Sequence, residues 1–290
     1  MTKTKIFKQE KETRKKFNLL KKYYDKTWDL RDHTLHVGLF NEDIETLEEA
    51  YDNATEYLIK KVNKVSQIGE DSVVLDVGCG TGRTLIMLCE KYSCSGVGVD
   101  ISDEMIEDAK EYLQRKNKKR DKIKLLHIDI KFIRGSGSKL DEVLKQNEQF
   151  THIISQDALF LVVDNHSLYK NLYRLLKKGG ILWIDDFLGE SKKEELGIKQ
   201  KELIYKMVNW SESPSFHNYE KILNSVGFSI VSAEKKDKDM IKTYNLLTKR
   251  MEKYSKSKDQ TFKSLQERYK SIVDTVKNKK MGWGIFVAKK

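Results

Sequence analysis

The chain has one proline in 290 residues and only three cysteines. Cys79, Cys89 and Cys94 form no C-x-x-C pair and no metal-ligand spacing, which argues against a disulfide scaffold and a zinc fold and fits a reducing, cytoplasmic setting. Long apolar runs are absent too. The longest, Ala158 to Val163, is far too short to cross a bilayer, and the opening MTKTKIFKQEKETRKKF has no apolar signal core. No stretch rich in proline, serine and glycine marks a linker, and no segment repeats. What is abundant is charge, at 34%, balanced by 39% apolar residues and 10% aromatics, which describes a globular chain. The formal net charge is +11, and residues 1–22 hold nine basic and two acidic side chains, a local +7. A second basic cluster is RKNKKRDKIK, residues 115–124. Such charge invites nucleic acid or an anionic membrane. No aromatic residue interleaves the second cluster as a stacking platform requires, so both read as solvated surface.

Periodicity gives the organisation. Residues 42–65 have helical spacing, with Leu47, Ala50, Tyr51, Ala54, Leu58 and Val62 on one face. Strands follow at 72–78, 95–100, 124–129, 150–157 and 181–186, separated by helices over 83–91, 102–116, 139–147 and 167–177. Ser102 is placed to cap its helix, and Gly179-Gly180 stop the last one. Strands alternating with helices predict an α/β fold, a doubly wound parallel sheet covered on both faces. Beyond it the sequence predicts helices over 192–210, 215–225, 238–256 and 258–278 and strands at 228–234 and 283–288. Three segments result: an N-terminal helical lid (1–65), a ligand-binding core (66–187), and helical cap insertions with the last two core strands (188–290).

The chemistry concentrates in LDVGCGTGR, residues 75–83, between a buried strand and a helix. Gly78, Gly80 and Gly82 let the backbone turn tightly and approach a ligand, and the helix start beyond offers free N–H groups. Asp100 ends the next strand, eighteen residues after Gly82, where a carboxylate accepts ribose hydroxyls. Asp129, ending the third strand, is placed to reach an adenine amine. A Walker loop is excluded because no G-K-[ST] follows. A dinucleotide site wants G-x-G-x-x-G, whereas the spacing here is D-x-G-x-G-x-G. Asp76 would repel a pyrophosphate but suits the ammonium of S-adenosylmethionine.

These residues resemble the class I S-adenosylmethionine-dependent methyltransferases, from about Val73 to Ile184. YYDKTWDLRDHTLHVGLF (23–40) and SQDALF (155–160) make the resemblance nearest to the sarcosine/dimethylglycine N-methyltransferase type of small-molecule enzyme. The resemblance implies a Rossmann-like seven-stranded sheet with an antiparallel last strand. It implies S-adenosyl-L-methionine bound by Asp76, Gly78, Gly80, Gly82, Asp100, Ile101, Asp129, Ile130, Gln156 and Tyr24. Gln156, Asp157 and His36 are the candidate catalytic residues, acting as positioners beside the transferred methyl. Tyr23, Asp185 and Asp186 are secondary candidates, with Tyr244, Trp210 and His217 in the insertion after them. The acceptor would lie under a lid of residues 20–40 and 188–280. It is read as a small amine such as a glycine derivative, or alternatively an apolar metabolite or lipid methylated on oxygen or carbon. A nucleic-acid role is disfavoured by the absence of an N/D-P-P-Y/F motif.

Overall fold

The computed structural model describes residues 3–122, 127–145, 147–162, 165–192, 195–210 and 213–290. The chain opens with helix α1 (Lys3–Thr27) and α2 (Leu47–Asn63). Thr46 and Glu49 close a reciprocal capping box at the start of α2, which explains why that helix begins five residues later than its apolar spacing suggests. Then come β1 (Val73–Val77), α3 (Arg83–Tyr92), β2 (Ser95–Asp100), α4 (Asp103–Lys122), β3 (Ile130–Arg134), α5 (Leu140–Val143), β4 (Phe150–Gln156), α6 (Asn165–Leu175) and β5 (Leu176–Leu188). The last third holds α7 (Ile198–Gln200) running into a π-helical turn (Lys201–Lys206), α8 (Phe216–Val226), β6 (Ser229–Lys235), α9 (Asp237–Arg250), α10 (Gln260–Lys277) and β7 (Gly282–Lys289).

The seven strands form one sheet in the order β3-β2-β1-β4-β5-β7-β6. β1 to β5 are parallel, and β7 runs antiparallel to both β5 and β6. Strand order reverses at β1, whose neighbours are β2 and β4, so the carboxyl ends there open the crevice in which doubly wound sheets bind ligands. Apolar residues of α5, α6 and α8 cover one face of the sheet. Those of α2, α3, α9 and α10 cover the other, with Leu20, Tyr23 and Tyr24 of α1.

Two expectations are corrected here. The third strand is Ile130–Arg134, not 124–129, of which 124–126 lie outside the described residues. α4, rich in helix-favouring Lys, Glu and Arg, runs on to Lys122 and displaces the strand. Phe132 then sets the register, because Cβ atoms built on Gly82 and Gly98 would lie 2.4 and 2.6 Å from its ring. The basic N-terminus is not a solvated tail either. α1 lies against the core, with Thr13 buried, Arg14 paired to Asp103 at 2.5 Å, and Lys21 paired to Asp25 at 2.7 Å and to Asp108.

Candidate active site

A cleft with an empty volume of about 1160 Å³, part of it open to solvent, lies at the carboxyl ends of β1, β2 and β4. Its floor is the β1–α3 loop. The amides of Gly78 and Cys79 both donate to the Val99 carbonyl, at 2.7 and 3.1 Å, which folds the loop back on β2. Gly78 has φ +80°, and a Cβ there would meet the Ala158 methyl at 2.2 Å. Gly80 has φ +52° and faces open space in the cleft. Gly82 does not line the cleft. It starts α3 in a left-handed conformation and makes room for Phe132.

Two carboxylates meet this floor. Asp100 accepts from the Gly80 amide at 3.0 Å and from the Ser102 amide at 2.8 Å, so it braces the loop and keeps further lone pairs for a ligand. Burial raises its pKa, and the amide hydrogen bonds act in the opposite direction. Asp76 differs. It is 4% exposed, lines the cleft, and has no hydrogen-bond or ion-pair partner among the described residues. Burial, with the charge of Asp100 adding to it, pushes its carboxyl up to about 8. A carboxylate in this state is costly unless a cation joins it. Nearby Arg83 also lines the cleft, and its Nη1 is buried without a partner.

At the end of β4, Gln156 is fixed at both ends of its amide. Its Oε1 accepts from Thr84 Oγ1 at 2.7 Å, and its Nε2 donates to Asp185 at 3.1 Å. Asp157 lines the cleft in a left-handed conformation, φ +49°. Its Oδ2 accepts from the Val37 amide and its Oδ1 from the Trp283 indole, both at 2.6 Å. Burial pushes its carboxyl up to about 7, against those two donors. Both oxygens are engaged, so this carboxylate fastens the 33–37 loop to the sheet.

The roof is α1 and that loop. Glu10, Thr13 and Phe17 of α1 line the cleft, and Glu10 accepts from the hydroxyls of Ser136, at 2.7 Å, and Ser138. His36 lines the cleft but is only 4% exposed. Burial pushes its imidazole down to about 4, so it is neutral at pH 7. Its Nδ1–H donates to the Val37 carbonyl at 3.0 Å, leaving Nε2 to accept from Thr55 at 3.4 Å.

The structure thus brings together Asp76, Gly78, Gly80, Asp100, Ile101, Gln156, Asp157 and His36. It does not bring in Asp129 and Ile130. Ile130 pairs with Gly96 at the amino end of β2, and Asp129 accepts the Gly96 amide there, at the far end of the strands from the cleft. Gly135 and Ser136, after β3, occupy the position expected of Asp129. Tyr24 does not line the cleft but packs behind Phe17 at 6.4 Å, and Tyr23 bonds Asp259 at 2.6 Å. Asp185 and Asp186 are buried under the floor, with Asp186 accepting from Tyr219 at 3.1 Å. Among the described residues none of 188–280 lines the cleft. Tyr244 and Trp210 are core residues behind it, and His217 is exposed on α8. Sequence reasoning missed Glu10, Thr13, Phe17, Arg83 and Ser136. The α1 residues were signalled by their spacing, since positions 10, 13, 17, 20 and 24 fall on one helical face.

A methyltransferase-domain family model matches residues 68–280. Phosphoethanolamine N-methyltransferase 1 of Zea mays is 30% identical over 75% of this chain and 41% of its own length. The sarcosine/dimethylglycine N-methyltransferase of Halorhodospira halochloris is 25% identical over 69% of this chain and 66% of its own. The chain therefore spans about two fifths of the maize enzyme and two thirds of the bacterial one. Among solved structures, a cyclopropane synthase of Mycobacterium tuberculosis shares the fold at a TM-score of 0.82, with 15% identity, covering 97% of this chain and 98% of that one.

Proposed function

This chain belongs to the methyltransferase-domain family, and from that premise we propose that it transfers a methyl group from S-adenosyl-L-methionine to a small-molecule acceptor, an amine such as a glycine derivative. The observation that carries the cofactor is the unpartnered, buried Asp76 beside an open glycine loop. An ammonium group satisfies it, and a pyrophosphate does not. The free Nη1 of Arg83 suits the carboxylate of the same amino-acid end. Asp100 takes the ribose hydroxyls on its remaining lone pairs, and Ile101, Ser136 and Glu10 border the adenine.

When bound, the cofactor would supply a methyl on a sulfonium: the acceptor lone pair bonds to that methyl as its carbon–sulfur bond breaks, and the electron pair leaves on the sulfur of S-adenosylhomocysteine. The chain's own residues position and exclude water. Gln156, locked by Thr84 and Asp185, presents its amide beside the reacting atoms. His36 stays neutral and shapes the wall, and Asp157 holds the roof closed through Val37. The residues 1–65 serve as the lid. The N-methyltransferase names of the maize and Halorhodospira relatives support an amine acceptor. The apolar wall of Leu35, Leu159 and Leu161 supports the second reading, an apolar metabolite. The three free cysteines fit a reducing, cytoplasmic setting, and among the described residues no helix is long and apolar enough to cross a membrane.

Calorimetry with S-adenosylmethionine tests the cofactor. Asp100→Ala should weaken binding by roughly ten- to over a hundredfold, the loss of a charge-assisted hydrogen bond. Tight binding of NAD with none of S-adenosylmethionine would reject the assignment. Release of S-adenosylhomocysteine across amines, phenols and sterols then separates the two acceptor readings.

A further inference from the structure

A second cavity opens beside the first, at the seam between α1 and the core. Its empty volume is about 900 Å³, part of it open to solvent, and Glu10, Ile101, Gly135 and Ser136 form a wall common to both. One side is α1, where Phe7, Lys11 and Arg14 follow at the i, i+4 and i+7 spacing of one helical face. The other side is the end of β3 and the turn after it, with Arg134 and Lys139. No residue of β4 lines it, so it lies on the β2–β3 side of the cleft, away from Gln156. Its charges do not balance pair by pair. Arg14 and Arg134 share one carboxylate, Asp103, at 2.5 and 3.4 Å. Lys139 stands 3.5 Å from Glu10, which already accepts from Ser136 at 2.7 Å and from Ser138. Lys11 forms no ion pair or hydrogen bond with a described residue. Glu142, the remaining acid of the lining, is exposed and likewise unpaired.

Two cations on α1 therefore face two on the core across an open space, with only Glu10 and Asp103 between them, and like charges repel there. A tetrahedral oxyanion has the charge and the acceptor oxygens for that gap, because guanidiniums grip it in forks and ammoniums meet it as point charges. Phe7 lines the same space and is 61% exposed, so a group esterified to the anion has an apolar surface to rest on. We propose that this second cavity binds a phosphoryl group through Lys11, Arg14, Arg134 and Lys139, carried by inorganic phosphate, a soluble phosphomonoester or a phospholipid headgroup. The bound anion turns repulsion across the seam into attraction and clamps α1 onto the core. The two cavities share Glu10 and Ser136, so the clamp also slows the escape of whatever lies under α1 in the cleft. By linkage, the anion and that ligand raise each other's affinity by the same factor. The anion site stands on its geometry alone, and its coupling to S-adenosylmethionine rests on the methyl-transfer reading above.

The probe is inorganic phosphate, with sodium chloride at equal ionic strength as control. Phosphate should raise the Tm of the full chain. In calorimetry it should tighten S-adenosylmethionine binding by roughly fivefold. Lys11→Gln with Arg134→Gln removes one exposed cation from each side of the seam, and neither residue lines the first cleft. In chloride this double variant should keep the wild-type Tm and cofactor affinity. Its phosphate affinity should fall by roughly tenfold or more, and both phosphate effects should vanish. Lys11→Arg with Arg134→Lys, which keeps the charges, should retain most of them. Flotation with phosphatidylcholine vesicles containing phosphatidylglycerol separates the sources. Flotation lost in the double variant points to a headgroup, and a phosphate effect without flotation points to a soluble phosphate. Equal phosphate effects in wild type and double variant overturn the proposal, as do equal effects of chloride, or no phosphate effect together with no variant-sensitive flotation. A phosphate shift lost in the double variant, with S-adenosylmethionine affinity unaltered by phosphate, sustains the site and overturns the clamp. Failure to bind S-adenosylmethionine, with phosphate still stabilising only the wild type, overturns the methyl-transfer reading and sustains the anion site.

Discussion

The floor and the roof of the cleft are built by different means. The floor spans residues 76–102 and is held by backbone groups, with loop amides on Val99 and the Gly80 and Ser102 amides on Asp100. The roof is held by side chains far apart in sequence. Glu10 meets Ser136, Ser102 meets Asn18 at 2.7 Å, and the Val37 amide meets Asp157. A β-strand, turn and helix fix the floor as soon as they form. The roof exists only when the whole chain has folded, and it can detach without breaking a strand. The two parts therefore divide the work, the floor setting which ligand fits and the roof setting how long it stays.

The largest expected effect breaks the floor at its unpartnered buried carboxyl. Asp76→Asn should weaken S-adenosylmethionine binding by roughly ten- to over a hundredfold, measured by calorimetry. The ligand-free protein should lose no stability, because the substituted carboxylate had no partner among the described residues. Its pH dependence should also change. Burial holds the folded Asp76 at about 8 against an ordinary 3.8, so the folded chain keeps a proton that the unfolded chain gives up. The resulting stability is present at low pH and is lost as pH rises through about 8. Wild-type Tm should thus fall more steeply than that of Asp76→Asn between pH 6.5 and 8. His36 has the opposite sign. Its folded value of about 4 against 6.5 costs stability as pH falls through that interval, so the window above pH 6.5 leaves it out.

A smaller effect is expected from the roof. Deleting residues 1–16 removes Glu10 and Thr13 from the cleft wall but no group from the floor. Cofactor affinity should drop by roughly threefold to tenfold, the worth of one or two neutral hydrogen bonds. The loss should appear in the dissociation rate in stopped-flow measurements. A truncated protein with unaltered affinity and dissociation would mean that α1 is packing alone.

The same division explains what was legible in the sequence. Gly78, Gly80, Asp100 and the parallel strands were readable because each acts through local geometry that residue type dictates. Asp129 was misplaced because strand ends were judged from an apolar run. The register is in fact set by Phe132 packing on Gly82 and Gly98, contacts 50 and 34 residues apart that no periodicity displays. The amphipathic helices of the insertions after β5 do not say in sequence which surface they cover. Their apolar faces pack with Trp28, Tyr51 and Trp283 behind the cleft. For α1 the apolar face was visible and the basic charge was misread. Charge alone does not separate a solvated tail from a helix whose cations find carboxylates such as Asp103 and Asp108.

The smallest effect sharpens the comparison by asking what kind of contact holds the roof. Arg14 and Asp103 form its most conspicuous ion pair, at 2.5 Å, yet their side chains are 43% and 36% exposed. Pairs this exposed typically contribute about 0.2–1 kcal/mol, and salt screens them further. Asp103 also keeps other partners, since Asn18 donates to it at 3.4 Å and Arg134 lies 3.4 Å away. It sits in the first turn of α4 as well, where a negative charge favours the helix by itself. Asp103→Asn would mix all these losses, so the pair has to be isolated with Arg14→Ala, Asp103→Asn and the double variant. The coupling should fall in the lower half of that range at low salt and vanish in 0.5 M salt. Cofactor affinity of Arg14→Ala should stay within about twofold of wild type. A coupling above about 1.5 kcal/mol, insensitive to salt, would mean that ionic contacts rather than Glu10, Asn18 and Val37 hold the roof.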